Sequence, residues 1–311
     1  METRRLGAHG PEISVVGFGA WEAGGDEWGH RPAEDAVRAM HAAIDAGVTW
    51  IDTAEVYGKG RSEKLVGQVL RDRPGEVMVF SKVAHFGSGL RPADIRRAIR
   101  GSLDRLGTDR IDLYQIHWPA EHEVPVEDAW GTLAELADEG VVRYVGVSNF
   151  DRALVERCLG IRHVDSVQNR LSLLELRDRE RLLPWLAERG IGYLGYSPLA
   201  FGLLTGVVTR ATRFEADDWR SGEGDVGYYD EYFAPDVIGP HLSRVERLGA
   251  VADRLGVPVG TLAIRAVLDL DGVSGVIVGS RDERHVRANA RAGDLAIDVS
   301  ARKEIESIFL G

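Results

Sequence analysis

The chain has 311 residues, of which 44% are hydrophobic, and carries a formal charge of −11 at neutral pH. That length admits one large domain or two ordinary ones, and that composition supplies a normal soluble core. The acidic balance argues against nucleic acid or an anionic membrane surface as partner. The single cysteine, Cys158, excludes an intrachain disulfide, and with no signal-like or membrane-spanning apolar run the expected location is cytoplasmic.

In chain order, TRRLGAHGPEIS (3–14) predicts a hairpin turning at His9-Gly10-Pro11, placed to plug the bottom of a barrel. VVGFGA (15–20) reads as a strand. Residues 32–47 read as a helix with Ala36, Val37, Met40, Ala43 and Ile44 on one side and Gly47 as its stop. VTWID (48–52) and VMVFSK (77–82) are strand-like, and 92–107 is a helix carrying Ile95, Ile99, Leu103 and Leu106, ended by Gly107. The strands IDLYQIH (111–117), VRYVGVS (142–148), DSVQN (165–169) and GYLGYS (192–197) follow, with helices at 125–139, 151–159 and 178–189. Cys158, on the second of these, reads as a small buried hydrophobe. Residues 207–239 form the longest irregular stretch and hold Phe214, Trp219, Tyr228, Tyr229, Tyr232 and Phe233. A loop so long and so aromatic predicts a lid, bending at glycines 222, 224 and 227. GVIVG (275–279), a helix at 281–291 and an extra helix over 298–311 complete the chain. Most strands are apolar almost throughout, as strands buried on both faces are. Eight of them with helical crossovers and no linker predict one α/β domain over 1–311, a (β/α)8 TIM barrel with an N-terminal hairpin and an extra C-terminal helix.

Four polar residues stand where apolar strands end: Asp52, Tyr57 in the following loop, Lys82 and His117. Buried charge has to be paired, and parallel strands bring their C-terminal ends to one face, where these groups can meet. An ammonium beside a phenol favours its phenolate, and a carboxylate keeps a desolvated lysine charged. Asp52, Lys82 and Tyr57 then make a phenol able to exchange a proton, and His117 can orient the same substrate oxygen. The unit suits proton transfer to a carbonyl oxygen. Taken singly, the four have plainer explanations: packing, a helix cap, a neighbouring carboxylate, a structural histidine.

Later strand ends suit a nicotinamide cofactor. Ser148-Asn149 and Gln168-Asn169 can hydrogen-bond a carboxamide, Tyr196 can stack on a flat ring, and Gly279-Ser280-Arg281 opens a helix, as a phosphate site in a barrel does. Ser148 and Ser280 can equally be helix caps. No GxGxxG fingerprint follows the first strand. The nine histidines show no HxH or HExxH spacing, so no metal site is expected, and no GxSxG elbow is present.

IDTAEVYG, FSK, IH, GVSNF, QN, GYSPLAFGLLTG and VIVGSRDERHVRAN, in this order, resemble the motifs of the aldo-keto reductases, most closely the bacterial, ion-channel-β-subunit-like branch. The resemblance runs from about residue 3 to the end. It implies a barrel that binds NADP(H) in extended form, with Asp52, Tyr57, Lys82 and His117 as catalytic tetrad. It implies that Ser148, Asn149 and Gln168 hold the carboxamide and that Tyr196 stacks on the nicotinamide. Ser197, Leu199 and Gly202 would meet the pyrophosphate, Gly279, Ser280 and Arg281 the 2′-phosphate end, and Asn289 the adenine. Two departures stand out. His285 replaces a frequent Gln, and VVTR follows GLLTG without the lysine often found there. The expected activity is NADP(H)-dependent reduction of aldehydes or ketones, hydride passing from nicotinamide C4 to the carbonyl carbon while Tyr57 protonates the oxygen. Trp21, Trp28 and Trp118, which follow strand ends on the active face, would wall the substrate pocket. The alternatives are a non-catalytic NADP(H)-sensing partner subunit and a Schiff-base lyase using Lys82. The sequence names neither the physiological substrate nor the oligomeric state.

Overall fold

The computed structural model describes residues 1–25, 28, 32–120, 122–222 and 227–309. Strands β1 (Thr3–Arg5) and β2 (Glu12–Ser14) form the antiparallel hairpin. Eight parallel strands follow: β3 (Val16–Gly19), β4 (Trp50–Asp52), β5 (Met78–Val83), β6 (Ile111–Ile116), β7 (Val142–Ser148), β8 (Ser166–Arg170), β9 (Gly192–Tyr196) and β10 (Gly275–Val278). They pair in sequence order, and β10 closes the ring onto both β3 and β9.

The helices are α1 (Trp21–Gly24), α2 (Ala33–Asp45), α3 (Arg61–Asp72), α4 (Pro92–Leu106), α5 (Val126–Asp138), α6 (Arg152–Leu159), α7 (Leu182–Glu188), α8 (Tyr229–Tyr232), α9 (Ile238–Leu255), α10 (Val259–Leu268), α11 (Glu283–Ala290) and α12 (Val299–Phe309). Pro92 opens α4 where its missing N–H costs nothing, and Gly107 closes it in the left-handed region, its N–H donating to Leu103 O at 2.8 Å. Cys158 is fully buried on α6. None of the described helices is long and apolar enough to cross a membrane.

Besides the four-residue α1 and α8, three longer helices go beyond the sequence expectation: α3, α9 and α10. The inward side of α3 carries Ser62, Glu63 and Gly67 beside Val66 and Val69, so its apolar stripe is broken. Glu63 is fully buried because Ser81 Oγ and Arg105 Nε donate to it at 2.7 and 2.6 Å. The helix α10 is buried on nearly all sides and shows little period to read. The expected irregular stretch is also more ordered than predicted. It contains a 3₁₀ turn at Trp219–Ser221, α8, and the start of α9, while Gly224 lies outside the described residues.

Inside the barrel the lower layers are apolar. Leu6 and Ile13 of the hairpin pack against Trp50, Phe80, Leu113, Leu194 and Ile277, so the hairpin does plug the bottom. Trp50 stacks on Phe80 at 4.8 Å and donates its indole N–H to Ser14 O at 2.8 Å. Gly17 makes this possible, since a Cβ there would fall 2.2 Å from the Trp50 ring. The period of two along each strand then sets the next layer up. Lys82 pairs with Gln115, Gln115 with Gly146 and Gly146 with Ser166, and above them come His117, Ser148 and Gln168.

Candidate active site

The strand ends do what parallel closure requires and gather the polar groups. Asp52 ends β4, Lys82 lies one residue before the end of β5, and His117 follows β6. Tyr57 begins a 3₁₀ turn after β4. Lys82 is fully buried, and Asp52 is 3% exposed. The Lys82 ammonium donates to Asp52 Oδ1 at 2.5 Å and Thr53 O at 2.9 Å, and makes a longer contact of 3.4 Å to Tyr57 Oη. Gln168 Nε2 donates to the other Asp52 oxygen at 2.9 Å. The Tyr57 ring meets the His117 ring edge-on, with centroids 5.6 Å apart. All four expected residues therefore converge.

Burial pushes the Asp52 carboxyl up and the Lys82 ammonium down, and each partner opposes the shift of the other. The pair is best held as an ion pair, because Gln168 also donates to the carboxylate. His117 lies well below the ordinary imidazole range, first from burial and then from the Lys82 and His85 charges. It is a neutral imidazole at pH 7.

Asp52, Tyr57 and His117 line one cavity of about 1640 Å³ that continues to the end of β10, and Lys82 lies buried behind them. Ser148 and Asn149 lie beside the tetrad. Asn149, at φ 61°, donates to His117 O at 2.9 Å and accepts from Tyr196 Oη at 2.8 Å. Gln168 is placed there too, with one N–H given to Asp52. Asn169 faces away, donating to Phe150 O and Asp178. The loop after β9 is contorted: Ser197, Ala200, Phe201 and Gly202 all have positive φ. Such backbone strain is characteristic of ligand clamps. Leu199 and Gly202 line the cavity there. At its far end lie Gly279, Ser280, Arg281, His285 and Asn289.

Two capping alternatives fall. Asp151 caps α6, accepting from Leu154 N at 2.9 Å, and Asp282 caps α11, accepting from Arg284 N at 2.8 Å. Ser148 is thus no cap, and Ser280 Oγ takes only the N–H of Asp282, at 3.1 Å. Arg281 donates to Trp28 O and lies 3.9 Å from Glu22.

Of the three tryptophans, all line the cavity. Trp21 stands 6.3 Å from the Tyr57 ring. Trp28 belongs equally to a cover: it meets Trp21 and Trp219 edge-on, and Trp28 bridges Asp218 in antiparallel fashion. Trp219, Tyr232 and Phe233 are buried around Phe201 and one another. Arg220, which sequence reasoning missed, donates to Phe201 O at 3.1 Å, next to Gly202, and pairs with Asp218 at 2.6 Å. It supplies a cation beside the loop that lacks the usual lysine. An arginine in a polar loop carries no local signal of that role.

The arrangement fits an extended dinucleotide: an elongated cavity, a strained backbone cradle flanked by Arg220, and an arginine at the far end. Among the described residues no group of three His, Cys, Asp or Glu could hold a metal. The Aldo/keto reductase family model matches residues 15–309. The chain belongs to the aldo/keto reductase family. It is 32% identical to aldo-keto reductase YhdN of Bacillus subtilis, over 99% of this chain and 94% of that protein. A glycerol dehydrogenase from Gluconobacter oxydans superposes with a TM-score of 0.86 at 30% identity, covering 98% of this chain and 94% of its own. An aldo-keto reductase from Klebsiella pneumoniae in complex with NADPH does so at 0.78 and 25%, covering 99% and 95%. This aldo/keto reductase is an oxidoreductase, and the cofactor of its family is NADP(H).

Proposed function

We propose that the protein is an NADP(H)-dependent carbonyl reductase of the alcohol dehydrogenase type. The observation that carries this reading is the Lys82 ammonium, set between Asp52 and the Tyr57 phenol with a neutral His117 edge-on to that phenol. Bound NADPH would supply the hydride. Ser148, Asn149 and Gln168 would hold its carboxamide, Tyr196 would lie against the nicotinamide, and the loop 197–202 with Arg220 would meet the pyrophosphate. Gly279, Ser280, Arg281 and Asn289 would serve the adenosine end.

The chain's own residues do the proton chemistry. Tyr57 gives its O–H proton to the substrate oxygen as negative charge develops there. Lys82, kept charged by Asp52, stabilises the phenolate that remains. His117, neutral, donates one N–H to the same oxygen and fixes the carbonyl's direction, which a charged imidazolium beside Lys82 could not do cheaply. Trp21, Trp28 and Trp118 keep water from the reacting centre. A Schiff-base role for Lys82 is disfavoured, because its ammonium is turned toward three acceptors and has no free lone pair to attack with. The same cavity, tetrad and aromatic wall are more than a cofactor sensor needs.

Tyr57→Phe tests the reading. It should lower kcat for a good aldehyde by at least ~100-fold, the scale of general acid catalysis, while NADPH affinity stays nearly constant. Retention of most activity would remove Tyr57 as the proton donor.

A further inference from the structure

One buried carboxylate at this face is not used by the chemistry above. Glu55 lies between Asp52 and Tyr57 in sequence and is 8% exposed. It forms no ion pair with any described residue. Instead its Oε1 accepts from the backbone N–H groups of Ala84 and Ser88, both at 3.1 Å, and its Oε2 accepts from Ser88 Oγ at 2.6 Å. A carboxylate only accepts, and three donors converge on it. A buried carboxylate without a cation is costly unless hydrogen-bond donors satisfy it, and here the donors come from one loop.

That loop is the one after β5. Gly87 sits so close that a Cβ there would fall 2.8 Å from Glu55 Oε1 and 2.7 Å from Val56 Cγ1. Between the two tied residues stands Phe86, a large apolar side chain left 58% exposed. Its ring is 6.0 Å from that of His117, and it lines the same cavity as Trp21, Tyr57 and Trp118. Phe86 thus presents its apolar face to the cavity beside the imidazole, where the substituent of a bound carbonyl compound would lie.

We propose that Glu55 is a positioning residue that clips loop 84–88 so that Phe86 forms a wall of the substrate mouth, giving the enzyme its preference for carbonyl compounds with a bulky apolar substituent. This rests on the carbonyl-reductase reading. Phe86 receives the flat or branched part of the substrate while His117 and Tyr57 take its oxygen. Glu55 borders the same cavity, but both its carboxylate oxygens are given to the loop, so it acts through Phe86.

The test uses the full-length enzyme with NADPH and two substrates, benzaldehyde and propanal. Phe86→Ala should lower the benzaldehyde-to-propanal ratio of kcat/KM by about 5- to 10-fold, the scale of an aromatic contact, and the loss should be carried by KM. Glu55→Ala should do the same, Glu55→Gln should recover part of the ratio, and Ser88→Ala should shift it less in the same direction. In the Phe86→Ala background, Glu55→Ala should change the ratio no further. Hydrogen exchange at the Ala84 and Ser88 amides should be faster in Glu55→Ala, which reads the clip without turnover. If Glu55→Ala leaves the ratio intact, or lowers kcat equally for both aldehydes, the proposal is overturned. Ser88→Ala keeps it open to refutation should Glu55→Ala fail to fold. A wild-type enzyme that oxidises NADPH with neither aldehyde would instead overturn the carbonyl-reductase reading, while the amide exchange still decides the clip.

Discussion

His117 can donate to a carbonyl at neutral pH because burial and the neighbouring Lys82 charge keep it unprotonated. The same shift links it to stability. In the unfolded chain the imidazole takes a proton as pH falls through its ordinary value of 6.5, whereas the folded protein refuses it. Stability that is fully present above that pH is therefore lost as pH falls toward the depressed folded value. The slope from this residue is at most about 1.4 kcal/mol per pH unit. Urea unfolding between pH 7.5 and 5 should show a flatter decline for His117→Gln than for the wild type, and equal slopes would mean that the folded protein binds this proton too. Two roles proposed for Arg281 can be separated. If it meets the 2′-phosphate, Arg281→Ala weakens NADPH binding by about 1.5–3 kcal/mol, the range for hydrogen bonds to charged groups, and barely alters NADH binding. Because Arg281 also donates to Trp28 O, equal losses for the two cofactors would assign it to holding Trp28 instead.

The segment 207–239 is the element in which expectation and structure differ most. Its length and aromatics suggested a cover waiting for a ligand, yet Trp219, Tyr232 and Phe233 are already buried in the protein. Arg170 fastens it from β8: the guanidinium lies 4.9 Å over the Tyr228 ring and 2.7 Å from Glu231. We expect a strap already seated, whose amides gain further protection from exchange when NADP(H) is added, because Arg220 and Trp28 edge the cavity. Equal exchange with and without cofactor, together with unaltered kcat on deleting 215–230, would show a solvated insertion. Local chemistry explains which elements could be read. Pro92 and Gly107 bound α4 by backbone rules alone, and β5, β6, β7 and β9 announce themselves as largely apolar runs, whereas β8 carries only Val167. The apolar spacing of α9, Leu242, Val245, Leu248 and Val251, is legible once its Pro240 is seen to lie in the first turn. By contrast α3 hides because Glu63 is neutralised by residues far along the chain, and no local window contains them.

At the scale of the whole molecule, the fold was legible because eight strand-like runs, most of them apolar, separated by crossovers leave few topologies. The tetrad was legible for the same reason: a carboxylate, an ammonium and an imidazole ending such runs must meet once the ring closes. Contacts that depend on three-dimensional neighbours were not. Nothing near Arg220 in sequence points to Phe201 O, and nothing near Glu55 points to Ser88.

The apolar plug has a kinetic consequence. Trp50, Phe80 and the hairpin close the lower barrel with apolar side chains, whereas Asp52 and Tyr57 line the upper cavity, so on the proposed chemistry protons arrive through the same opening that ligands fill. If Tyr57 is the proton donor, each turnover would begin with one proton already aboard, and the phenolate would be reloaded only after the alcohol has left, tying protonation of the enzyme to the order in which its products leave.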